Sequence, residues 1–166
     1  MDKNNSLKIA FPPIIHQDCT VLLLGTMPGE RSLQLGQYYG HAGNHFWKLI
    51  YGLFNLQPSL EYTERTSFLL GHGIALWDVL ESCTCVGSLD SQIRNATVND
   101  FARFYLAYPN LKHIFFDSKK AEEFYRKQVG FSADKSYHLL PSPSRANAGK
   151  TFEQKLEAWQ ELLLYI

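Results

Sequence analysis

Val21-Leu22-Leu23-Leu24-Gly25-Thr26-Met27-Pro28-Gly29 runs from four unbroken apolar residues into a loop punctuated by Gly and Pro. A continuous apolar run does not alternate, so it predicts a strand covered on both faces, the kind found in parallel sheets. Ile74-Ala75-Leu76-Trp77 before Asp78, His113-Ile114-Phe115-Phe116 before Asp117, and Tyr137-His138-Leu139-Leu140 before Pro141 read as three more strands. Helical patterns fall between them. Phe46, Leu49, Ile50 and Leu53 recur at spacings of three and four, behind Asn44 at an N-cap position. A second helix spans about Leu60 to Leu70, before Gly71 and Gly73. Asn99-Asp100 open a third, which Pro109 stops; Ser118 caps a fourth over Lys119 to Val129, ended by Gly130. Thr151 and Gln154 have capping-box form and start the last. The twenty or so residues after Asp78 have weak periodicity and read mostly as loop. Strands alternating with helices predict an α/β fold, a three-layer αβα sandwich around a central, mainly parallel four-stranded sheet.

The 166 residues suit one domain, 1–166, with 1–18 as an N-terminal lead-in. Lys and Arg balance Asp and Glu, for a formal net charge of zero. That excludes a strongly basic nucleic-acid footprint and leaves room for a local basic face. Cys19, Cys83 and Cys85 are odd in number and lack zinc or redox spacing. They predict reduced thiols in a cytoplasmic setting and no metal site, and no cofactor is expected. The polar Met1 to Ser6 is no secretory signal, and no apolar run approaches the roughly 20 residues of a membrane span. Nothing requires a dimer, and a monomer is expected.

A denser chemistry sits at Gln37-Tyr38-Tyr39-Gly40-His41-Ala42-Gly43-Asn44-His45-Phe46-Trp47. Four aromatic rings, two imidazoles and two side-chain amides are unusual for a plain core helix. Flat rings beside such hydrogen-bonding groups suit a flat polar ligand such as a nucleobase. In an open parallel sheet, ligands bind outside the carboxyl ends of the strands. The loops Gly25 to Ser32 and Leu140 to Gly149 leave strands at that end.

These three stretches resemble the uracil-DNA glycosylase superfamily, and most closely its hypoxanthine (deoxyinosine) branch. The superfamily's first motif has the form G-x-x-P-G, matched by Gly25-Thr26-Met27-Pro28-Gly29. Its late motif, x-P-S-x-x-x, is matched by Leu140 to Arg145. Gly40 to Trp47 is similar to a segment of the mismatch-specific uracil glycosylases. Gly73 to Val79, Ser88 to Ser91 and Ile93-Arg94-Asn95 look like the hypoxanthine branch. The resemblance runs from about Val21 to the C-terminus. It implies an enzyme that flips a deaminated base out of DNA and hydrolyses its N-glycosidic bond, leaving an abasic site for repair.

Each residue carries a plainer reading beside the functional one. Tyr39 matches an aromatic base-stacker of the mismatch-specific relatives; otherwise it is a core tyrosine bonded through its hydroxyl. Asn44 is the candidate catalytic residue, because Met27 occupies the place of the water-orienting Asn of the mismatch-specific relatives, and the resemblance to the hypoxanthine branch implies that the role passes to Asn44. Its other reading is a helix N-cap. His41 is a candidate donor to the base or a phosphate, or a structural imidazole. His138 reads as structural and His45 as solvent-facing. Gly25, Thr26, Met27, Pro28 and Gly29 would floor the base pocket. Ser142, Pro143, Ser144 and Arg145 would enter the minor groove on a Pro-stiffened loop, or form an ordinary exposed turn. Asp78 would orient water or cap a loop. Asp90, Arg94 and Asn95 are expected to be structural or DNA-proximal. Asp117-Ser118 departs from the Asn-Gly often found there in the family. No lysine stands inside the motifs as an imine-forming nucleophile, which favours a monofunctional enzyme using water.

The expected substrate is DNA with hypoxanthine first and uracil second. A mismatch-specific uracil glycosylase is the alternative within the class. A non-catalytic nucleobase-binding module is the alternative outside it. Phosphate-cradling Gly-rich motifs are missing from the chain.

Overall fold

In the computed structural model, which describes residues 6–166, the first continuous apolar run becomes β2 (Val21–Gly25), fully buried along its length. Its neighbours are β3 (Ile74–Asp78) on one side and β6 (His113–Phe116) on the other, with β7 (Ser136–Leu139) beyond β6. All three pairings are parallel, with Gly25 beside Asp78, Leu24 beside Phe116, and Phe116 beside Leu139. The carboxyl ends of four strands are thereby aligned at one edge. β7 is half-exposed rather than buried, as an edge strand is.

Because strand side chains alternate, β2 feeds two cores. Leu22 and Leu24 pack with Trp77, Ile114 and Phe116 against α4 (Phe101–Ala107) and α5 (Lys119–Gln128). Val21 and Leu23 pack with Ile74, Leu76 and Phe115 against α2 (Phe46–Gly52), α3 (Tyr62–Gly71) and α6 (Phe152–Trp159). This is the three-layer α/β sandwich expected. The caps behave as read for three helices: Asp100 accepts from the Arg103 N–H, Ser118 from the Ala121 N–H, and Thr151 with Gln154 forms the reciprocal box.

The segment after Asp78 is not mostly loop. β4 (Leu80–Thr84) and β5 (Arg94–Val98) pair antiparallel, and β1 (Leu7–Ile9) adds to β4. This second sheet buries Leu80 and Cys83 into the first core and leaves most of β5 exposed. The lead-in is also anchored, since Ile14 and Leu76 exchange backbone hydrogen bonds of 2.9 Å. A short α1 (Glu30–Leu35) follows Gly29. Cys19, Cys83 and Cys85 are free and buried. Among the described residues no helix is long and apolar enough to cross a membrane.

Candidate active site at the strand ends

A cleft of about 1040 Å³ opens over the carboxyl ends of the four parallel strands. It gathers all twelve of the candidate residues: Gly25 to Gly29, Tyr39, His41, Asn44 and Ser142 to Arg145. Residues more than a hundred positions apart meet there because β2 and β7 end on the same edge.

The floor is backbone brought close. A Cβ on Gly25 would sit 2.6 Å from Asp78 Oδ1, 3.1 Å from the Tyr39 hydroxyl and 3.2 Å from Asp117 Oδ2. A side chain at that position would have to displace the Asp78 carboxyl. The Gly25 carbonyl accepts from the Val79 N–H at 2.8 Å, and the Thr26 carbonyl from the Leu80 N–H at 3.1 Å. Thr26 is buried, and its hydroxyl donates to Asp90 Oδ2 at 3.0 Å. The Gly29 end is tied to Ser88, whose hydroxyl oxygen accepts from the Glu30 N–H at 2.9 Å.

Tyr39 forms one wall. Its backbone is left-handed, with φ +51°, which sets the ring at an angle an ordinary helix or strand would not give. One ring face stacks on Phe46 at 3.9 Å and 10° between planes. The hydroxyl donates to Asp117 Oδ2 at 2.5 Å. The hydroxyl bond of the plainer reading is therefore present, and the ring still lines the cleft.

Asn44 has a resolved amide orientation. Its Oδ1 accepts from the Phe46 N–H at 2.9 Å. An N–H can bond only to the oxygen end, so the NH₂ is left as the free donor end of the group. The cap is offset from the expected place: His45 is the residue before the helix, and Asn44 reaches past it. Asn44 thus serves the helix start and also lines the cleft. His41 is exposed, and its Nδ1 accepts from the Gly43 N–H at 2.9 Å, which leaves Nε2 as the free ring nitrogen.

The late loop is tied by its own hydrogen bonds and closely seated. Ser142 Oγ accepts from the Ser144 N–H, Ser144 Oγ from the Ala146 N–H, and the Asn147 amide donates to the Ser142 carbonyl, each at 3.2 Å. Pro143 is buried, and its carbonyl accepts from the His45 N–H at 2.9 Å. Arg145 is exposed, with its stem over Gly43; a Cβ there would lie 2.5 Å from Arg145 Cδ. His45 is not solvent-facing but half-buried, edge-on to Phe152. His138 is structural, stacked on Phe115 at 4.4 Å and bonded to Glu161.

Two carboxyls join the site from the ends of β3 and β6. Asp78 is 4% exposed and Asp117 is 7% exposed. Burial raises Asp117 from 3.8 to about 7, against the lowering pull of the Tyr39 hydroxyl bond. Burial, then the nearby Asp117 and Asp90, push Asp78 well above the carboxylate range. Asp78 Oδ2 has no hydrogen-bond partner among the described residues. Near neutral pH such a pair holds a proton and can donate as well as accept. Each Asp had a sequence signal, the end of an apolar strand, but that signal also fits a loop cap. Asp90 lines the cleft as well, whereas Arg94 and Asn95 bond locally in the second sheet. Among the described residues no group of three or more metal-binding side chains is assembled. Arg31, Lys119, Arg145 and Lys150, all exposed, line the cleft and give this neutral chain a local basic rim.

A cleft with a glycine floor, an aromatic wall and a basic rim agrees with three comparisons. The family model of the uracil DNA glycosylase superfamily matches residues 12–163. The chain is 34% identical over 158 residues to the hypoxanthine DNA glycosylase of Methanosarcina barkeri, covering 93% of this chain and 96% of that protein. It is also 34% identical over 157 residues to the hypoxanthine DNA glycosylase of Methanosarcina acetivorans, with the same shares covered. The solution NMR structure of a candidate uracil DNA glycosylase from Methanosarcina acetivorans superposes with a TM-score of 0.80 at 29% identity, covering 95% of this chain and 99% of that one. With sequence match and fold match both running nearly end to end, the chain belongs to the uracil DNA glycosylase superfamily.

Proposed function

We propose that this DNA glycosylase removes hypoxanthine from DNA, with uracil as its second base, by a monofunctional hydrolysis that leaves an abasic site. The observation that carries the reading is the Asn44 amide, whose oxygen is fixed by the Phe46 N–H and whose NH₂ is left to donate at the cleft. Cleaving an N-glycosidic bond puts negative charge on the departing base, and a preorganised neutral donor stabilises that charge without titrating. The extruded base lies against the Tyr39 ring, where stacking worth about 1–3 kcal/mol offsets much of the cost of leaving the duplex. The Asp117 and Asp78 carboxyls face the lactam edge, the adjacent C=O and N–H that hypoxanthine shares with uracil. A carboxyl that keeps its proton donates to that C=O and accepts from that N–H. Ser142 to Arg145 occupy the minor groove, and the rim cations hold phosphates. The enzyme acts as a monomer in the cytoplasm, without a cofactor.

Labelled duplexes carrying a single hypoxanthine or uracil, treated with the protein and then alkali, test this. Alkali-dependent scission at hypoxanthine, lost in Asn44→Ala while that variant still folds and binds the duplex, is the expected result. Scission at uracil alone would reassign the base. Full activity in Asn44→Ala would remove the amide from the mechanism.

A further inference from the structure

Lys155 lies on α6, a helix with an otherwise ordinary amphipathic pattern, yet it is 1% exposed. No carboxylate lies within salt-bridge distance of it among the described residues. A buried ammonium without a counter-charge is costly, and an apolar side chain of the same length would suit a core better. Burial accordingly pulls the amine below its ordinary value. Among the described residues its hydrogen bonds go to two places. Nζ donates to the Ser144 carbonyl at 3.1 Å and lies 3.4 Å from His45 Nδ1.

Those two partners belong to different parts of the site. Ser144 is on the loop assigned to the minor groove, and His45 follows Asn44. A further bond, from the His45 N–H to the Pro143 carbonyl, closes the ring between them. From these contacts we infer that Lys155 is a positioning residue, which locks the DNA-entering loop to the turn that carries the Asn44 amide. Loop insertion and amide placement then occur as one rigid unit. The inference rests on the glycosylase reading above. The role needs a donor with several protons, because it must reach a carbonyl and an imidazole nitrogen together. It also requires His45 to be neutral, with its proton on Nε2, since a protonated Nδ1 could not accept.

The test is single-turnover base release from a hypoxanthine duplex, with the rate at saturating enzyme and the half-saturation point measured separately. Three proteins are compared: wild type, Lys155→Met, which keeps the length and drops the donors, and Lys155→Arg, which keeps donors. Lys155→Met is expected to bind the duplex normally and to keep or gain thermal stability. Its saturating rate should fall by roughly 10²-fold, the size of effect that a small misplacement of a catalytic group produces. Lys155→Arg should recover part of that loss. In a double-mutant cycle with Arg145→Ala, the two effects should not add. A saturating rate in Lys155→Met within about twofold of wild type, the scatter of independent sites, would overturn the inference, as would a loss confined to half-saturation. If Lys155→Met does not fold, His45→Phe removes the Nδ1 acceptor alone: a lowered saturating rate supports the lock, and an unchanged one overturns it. A wild-type protein that releases no base would overturn the glycosylase reading, and the inference with it.

Discussion

Replacing Asp117 with asparagine should make the protein more stable at neutral and alkaline pH while changing little in acid. Burial holds this carboxyl at about 7 against an ordinary 3.8. At about 1.4 kcal/mol per tenfold, that separation is worth roughly 4 kcal/mol between the protonated and ionised forms in the folded state. The unfolded chain loses the proton near 4 and the folded chain only near 7. Between those values the folded state binds more protons, so stability falls as pH rises through that window and then levels off. Asparagine cannot ionise, and its amide oxygen can still accept the Tyr39 hydroxyl bond seen at 2.5 Å. The variant's advantage should therefore be near zero at pH 4 and grow to a few kcal/mol by pH 8. Asp78 keeps a residual slope in both proteins, because its own carboxyl is raised by burial. The informative quantity is thus the difference between the two curves, measured by urea unfolding at several pH values. Parallel curves from pH 4 to 8 would refute the assignment of a proton to Asp117 and would remove the donor that the proposed base recognition uses.

Gly25→Ala tests the floor. A methyl 2.6 Å from Asp78 Oδ1 must displace a buried side chain, so we expect a loss of about 1–3 kcal/mol in stability and a collapse of base release at saturating enzyme. Normal release in Gly25→Ala would show that the base does not approach β2. Duplex affinity should fall with salt at a log–log slope of roughly −3 to −4, as expected if Arg31, Lys119, Arg145 and Lys150 each meet one phosphate. A slope near zero, or no change on Lys150→Ala, would place the duplex elsewhere on the surface.

Much of the fold was legible because the central strands are written as apolar runs closed by Gly or Asp. Val21 to Leu24 and Ile74 to Trp77 need no partner to be recognised. The second sheet was not legible. Leu80–Thr84 and Arg94–Val98 carry mixed polar residues because one face stays wet, and their pairing shifts register between Leu80, Ser82 and Thr84. Six-residue α1 is too short for a period to show. At the site, glycines, rings and amide stood out by type. Asp117 did not, since an aspartate after a strand usually caps a turn; only its burial in the folded chain gives it a raised proton affinity. Lys155 was hidden for a different reason. A lysine on an amphipathic helix reads as solvated, and it is the loop at Ser144, eleven positions earlier, that folds over its end.

The separation of a neutral whole from a cationic rim bears on how such a molecule would search. Grip on undamaged duplex scales with the number of phosphates neutralised, and here only a handful of side chains are placed to do so. Each visit to ordinary sequence would be brief, and a long stay would require a base seated in the cleft. Residence time, rather than attraction, would then mark a lesion. Adding lysines around the rim would tighten binding everywhere and erase that contrast, slowing turnover on long DNA even as affinity for a short oligonucleotide improved.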